Sequence, residues 1–261
     1  VMDGGTVIRG ISRDHTEDGS RLEPGDFSTA LTQALGDDRF DLVALDGSFT
    51  ANLETAYSLR EVARFLVASQ EMVPVEGAPF GEWLAGLDEA VDGEIAAQDL
   101  VRLFADRYVG ADAAHLTPYA TLSAIDLERI ASLKVALDAL SAHLLEALEA
   151  GDAVNSLAQV RGRAPSFIGP GKALIDLREF LFQLDTESEL DVAQFTENAL
   201  VALEGAMVER VSGRARPFAG GLSIFFPQWR PLVNPLRAER YANLDFAEVT
   251  RWDELLHAYT A

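Results

Sequence analysis

The stretch FDLVALDGSFTANLETAYSLREVARFLVAS, residues 40–69, constrains the fold more than any other part of the chain. Phe40 to Leu45 is a short apolar run of strand formers set between GDDR and DGS, which predicts a buried strand. After the turn, Leu53, Ala56, Tyr57, Leu59, Val62 and Ala63 recur at helical spacing, and FLVAS returns as a second apolar strand. Strand, helix and strand with short joins call for a right-handed crossover between parallel strands. The expected class is therefore α/β.

The segment after Ser69, QEMVPVEGAPFGEW, is rich in Pro, Gly and acid and reads as a loop at the carboxyl end of the second strand. Open α/β sheets build ligand sites from such loops. Helical periodicity runs over Glu94 to Val109 and Leu127 to Leu148, separated by a stretch that includes TPYATLSAID. Further helices are expected over Lys172 to Gln183 and Val192 to Val208, then a strand at GLSIFFP and a helix at EVTRWDELLHAY. No repeat or long polar linker divides the chain, so residues 1–261 read as one unit with a helix-rich centre over about 94–210. VRGRAPSFIGPGK and VSGRARPFAGG are the most loop-like stretches, and their arginines are expected to be open to a trypsin-like protease.

Charge narrows the partners. Forty-two acidic against 21 basic side chains leave a formal net charge of −21, which argues against a nucleic-acid backbone or an anionic membrane and favours basic peptides or cations. The chain contains no cysteine, hence no disulfide, thiolate metal site or thiol nucleophile. No run of 18 apolar residues and no basic-then-apolar leader is present, so the compartment stays undetermined between cytoplasm and exterior.

The polar tip Asp46-Gly47-Ser48 sits where the first strand turns toward the helix. Side chains alternate along a strand, so Asp46 and Ser48 are expected to project together from the sheet's carboxyl edge, near backbone N–H groups that favour an anion. The competing reading is that Ser48 or Thr50 caps the helix. A G-x-S-x-G elbow is absent, and none of His15, His115, His143 and His257 has a telling spacing to Ser48. Residue chemistry alone assembles no catalytic dyad.

The run from Phe40 to Phe80 resembles the core motif of the clostripain family of cysteine peptidases, relatives of the caspases. There a strand ends in aspartate, a small residue and the nucleophilic cysteine, followed by a helix E-x-A-Y-x-L-R. Glu54, Ala56, Tyr57, Leu59 and Arg60 fit that helix, and Val67, Ala68 and Ser69 fit the strand ending V-A-S. RGISRDHTEDGSRLEPGDFSTAL, LSAIDLERI, GLSIFFP and TRWDELLHAY resemble further segments in the same order. The resemblance implies a caspase-like three-layer sandwich around a mostly parallel sheet, with a helical insertion or subdomain.

It also implies a site. Ser48 occupies the position of the nucleophilic cysteine, and a hydroxyl is hardly ionised near neutral pH, so the chain as written is expected to be inactive. Phe49 and Thr50 stand where the family tends to have Leu and Met, which fits natural drift into a pseudopeptidase as well as it fits an engineered replacement. Asp46 and Glu76 fall on the acidic positions that line the pocket for an Arg or Lys before the cut, with Glu71 as rival for the second carboxylate. The family's catalytic histidine lies upstream. Either it belongs to a separate amino-terminal fragment that stays associated, together with the strands missing from the front, or VMDGG is its motif with Gly4 in its place. Calcium is an option through the resemblance only; no D-x-D-x-D-G loop is present and no ligands are assigned.

Overall fold

A computed structural model describes residues 12–13, 21–22, 24–88, 91–151, 153–167, 173–188, 190–228 and 240–260. In chain order the elements are β1 (Ser12–Arg13), β2 (Arg21–Leu22), α1 (Pro24–Leu35), β3 (Phe40–Ala44), α2 (Leu53–Leu59), β4 (Ala63–Ala68), α3 (Phe80–Gly86) and α4 (Gly93–Tyr108). They continue with β5 (Thr121–Asp126), α5 (Ile130–Glu149), α6 (Val154–Arg163), β6 (Leu174–Asp176), α7 (Leu177–Glu187), α8 (Ala193–Ala206), β7 (Met207–Ser212) and β8 (Ser223–Phe225). A single turn, α9 (Asp245–Glu248), and α10 (Trp252–Thr260) close the described chain.

The main sheet has the order β3-β4-β5-β7. The crossover from β3 through α2 to β4 is parallel, with Leu42 opposite Phe65 and Ala44 opposite Val67. The next two pairings, β4 with β5 and β5 with β7, are antiparallel. β6 and β8 form a separate antiparallel pair, tied to the start of α2 by a bridge between Asn52 and Ser223.

Alternation along β4 explains the layers. Phe65 and Val67 join a cluster with Leu100, Val101, Phe104 and Tyr108 of α4, while Leu66 and Ala68 face the larger cluster formed with α2, α5, α7 and α8. A strand covered on both faces needs a continuous apolar run, which is what FLVA supplies after Arg64. Helices on both faces of the sheet make an α/β three-layer sandwich.

Several boundaries differ from the sequence expectation. α2 is only two turns long and buried all round; Val62 and Ala63, expected in the helix, lead into and begin β4. The expected helix 172–183 opens as strand β6, and the expected helix 192–208 hands over to strand β7 at Met207. The stretch before Ile130, read as a separator, holds the inner strand β5. Of the arginines expected to be open to proteolysis, Arg161 and Arg216 are buried, whereas Arg163 and Arg214 are exposed.

Candidate active site

Everything of interest converges where β3 and β4 end. β3 stops at Ala44, and Leu45 N–H still donates to Val67 O at 2.9 Å, so the tip begins one residue later. Asp46, Gly47 and Ser48 then cross the sheet edge toward the loop 69–79. Their common direction arises from that loop rather than from strand alternation. Ala78 N–H donates to Asp46 Oδ1 at 3.1 Å, and Val73 N–H donates to Ser48 Oγ at 3.1 Å.

The turn after Ser48 is tight. Phe49 has φ 63°, the left-handed region that a bulky residue rarely adopts, while its side chain is 3% exposed. The surroundings hold it there: Phe49 N–H donates to Glu71 O at 3.2 Å, and Asn52 Nδ2 donates to Phe49 O at 2.9 Å. A sharp strand-to-helix elbow therefore exists without the G-x-S-x-G pattern. The helix cap is neither Ser48 nor Thr50. Asn52 Oδ1 accepts from Thr55 N–H at 2.8 Å, and Thr50 Oγ1 donates to Gly47 O at 2.7 Å.

The second carboxylate position, Glu76, is exposed on the same loop. Its neighbour Gly77 has φ 74°, which favours glycine, and a Cβ there would press on the Asp46 carboxylate, which would have to shift. Tyr108 Oη donates to Gly77 O at 2.7 Å, fixing the loop from the α4 side. Asp46 and the Glu76-Gly77 turn are thus adjacent. Glu71 is elsewhere: 0% exposed, it accepts from Arg216 Nε at 2.7 Å, so its carboxylate is engaged inside the protein.

Arg216, which sequence reasoning missed, carries the loop after β7 onto this edge and lies over the Tyr119 ring at 4.9 Å. Gln70 and Asp176 do the same for the neighbouring turn. Gln70 Nε2 donates to Asp176 Oδ2 at 3.0 Å, Gly220 N–H donates to the same carboxylate oxygen at 2.7 Å, and Gly221 N–H donates to Gln70 Oε1 at 2.8 Å. Burial raises the Asp176 carboxyl above the usual range, partly offset by those bonds.

Glu54, quoted in the helix motif, has a structural role. Its Oε1 accepts from Phe225 N–H at 3.0 Å and from Tyr241 Oη at 2.9 Å, locking α2 to β8 and to the segment before α9. Burial pushes its pKa from 4.5 to about 7, and these bonds moderate the rise. Among the described histidines, His115 is exposed, His143 stacks on Phe195 at 4.6 Å, and His257 Nδ1 lies 2.8 Å from Asp253 O. None of the three is hydrogen-bonded to Ser48. His15 and the VMDGG motif with Gly4 lie outside the described residues. Among the described residues no three acidic or histidine side chains are grouped to hold a metal, and no helix is long and apolar enough to cross a membrane.

Comparison with known structures bears on the fold. A cysteine protease of B. fragilis aligns at TM-score 0.67 and 16% identity, over 94% of this chain and 98% of that one. A secreted C11 cysteine protease of Bacteroides thetaiotaomicron, solved with an irreversible peptide inhibitor, aligns at 0.65 and 17%, over 93% of this chain and 67% of that one. An inactive zymogen C11 protease of Parabacteroides distasonis aligns at 0.63 and 18%, over 88% of this chain and 62% of that one. No curated protein sequence matches the chain. At such identities the structural likeness speaks for the fold alone. The sequence profile of the clostripain family, Peptidase C11, matches residues 2–259, and the chain belongs to that family.

Proposed function

We propose that this chain is the nucleophile-bearing part of a clostripain-type cysteine endopeptidase that cuts after Arg or Lys, inactive as written because Ser48 replaces the cysteine. The observation that carries the reading is that one loop, residues 69–79, bonds both Asp46 and Ser48 and packs Gly77, the residue after Glu76, against Asp46. Asp46 and Glu76 supply two carboxylates for a guanidinium, with an ammonium the poorer fit. The net charge of −21 draws basic peptides toward them.

The reading includes an amino-terminal piece of the same protein that carries the catalytic histidine and adds strands to β3. In its support, β3 ends the described sheet with only β4 beside it, and the zymogen relative is longer than the span this chain matches. A second reading, a pseudopeptidase that keeps the pocket and has lost the chemistry, is favoured by Ser48 itself.

Both readings need the pocket, so ligand binding tests them together. Asp46→Asn should weaken an arginine-terminated peptide aldehyde far more than a matched norleucine one in calorimetry on the reconstituted protein. Truncating a desolvated charge pair costs roughly 2–5 kcal/mol, which the norleucine ligand does not have to lose. Glu76→Gln should act in the same direction but less: both carboxylates are exposed in the free chain, and Asp46 is the one positioned by a backbone donor, Ala78 N–H. Equal losses for the two ligands would remove the basic-residue pocket from the account.

A further inference from the structure

The 69–73 segment touches the nucleophile position from two sides. Glu71 O accepts from Phe49 N–H, just after Ser48, and Val73 N–H donates to the Ser48 side chain itself. The segment has fixed attachments of its own. Glu71 N–H donates to Thr121 Oγ1 at 3.1 Å and to Ser69 Oγ at 3.2 Å, and the Glu71 carboxylate is bonded to Arg216. Val73 N–H is therefore a dipole aimed at position 48 and held by β5 and by the loop after β7.

We propose that the backbone N–H of Val73 is an anion-holding donor of the nucleophile's seat, stabilising negative charge on the side-chain atom at position 48. This rests on the reading of position 48 as the nucleophile's place. A neutral hydroxyl gains little from such a donor, because it has partners in water. A thiolate gains more, since a hydrogen bond to an ionised acceptor is about twice as strong as one between neutral groups. The donor also offsets a local excess of acid. Asp46 and Glu76 lie on the adjoining turn and loop, and both carboxylates disfavour a second negative charge, whereas Glu71 is balanced by Arg216.

The chain has no cysteine, so Ser48→Cys places a single thiol in it, and the thiol's ionisation can be read without any peptidase activity. The pH dependence of iodoacetamide alkylation would be measured for Ser48→Cys and for Ser48→Cys combined with Val73→Pro, which deletes the donor. Loss of the N–H should raise the thiol pKa by about one unit, a tenfold loss of thiolate at neutral pH. In 15N-valine-labelled Ser48→Cys, the Val73 amide resonance, identified by its absence in Val73→Ile, should titrate with that same pKa, a readout that survives if the proline variant does not fold. An alkylation pKa indifferent to proline, or a Val73 amide that does not follow the thiol, overturns the proposal. Failure of the peptidase reading would appear instead as missing hydrolysis with this ionisation behaviour intact.

Discussion

Glu54 is 2% exposed, and its carboxyl holds a proton in the folded chain at pH values where the unfolded chain has released it. With a folded pKa of about 7 against 4.5, its contribution is fully present below about pH 4.5 and is lost as the pH rises through 7. The span corresponds to roughly 3 kcal/mol. Glu54→Gln keeps an acceptor for Phe225 N–H and Tyr241 Oη and removes the titration. Urea unfolding should show wild-type stability declining from pH 5 to 8 and a flatter profile for the glutamine variant. Asp176, raised in the same direction, should leave a residual slope. Parallel profiles for the two proteins would mean that Glu54 titrates normally. At this scale the place of Asp46 and Ser48 at a strand tip was legible, because small polar residues closing an apolar strand stand out. Phe49 was not: a left-handed turn ordinarily advertises itself with Gly or Asn, and here packing imposes it on an aromatic residue.

Between elements, the Arg216–Glu71 pair joins the end of β4 to the loop that follows β7, 145 residues apart in sequence. Arg216→Met would take the guanidinium away from the buried Glu71 carboxylate and should cost roughly 3–5 kcal/mol. Combining it with Glu71→Gln, which removes that charge, should recover most of that loss. Urea denaturation of the single and double variants checks this; an additive double variant would show that the two side chains are not coupled. No local pattern reveals such a pair, since each partner reads alone as an ordinary loop residue in an acidic chain. The same limit blurred element boundaries. Leu174-Ile175 is apolar and Asp176 runs straight into α7, and a three-residue strand cannot be told from the first turn of a helix by period. β4 was legible because burial on both faces demands an unbroken apolar run.

At the scale of the whole molecule, an α/β sandwich of the clostripain family carries a sheet whose β3 edge has only β4 for a neighbour among the described strands. An edge strand, among the described ones, with Phe40 40% exposed invites pairing with another chain. Residues 1–261 alone should therefore self-associate in analytical ultracentrifugation, and the amino-terminal piece should convert them to a defined two-piece species. A monomeric chain that melts cooperatively with nothing bound would contradict that assembly. The central claim is that position 48, with Asp46 and Glu76, forms a peptidase site waiting for its thiol. Its most direct test is hydrolysis of arginyl, lysyl and norleucyl reporter peptides by the Ser48→Cys chain combined with the amino-terminal piece, under reducing conditions, with and without calcium. The account predicts cleavage after Arg, weaker cleavage after Lys, none after norleucine, and none by the Ser48 protein. No hydrolysis by the folded, two-piece cysteine protein would contradict the enzyme and leave a binding module in its place.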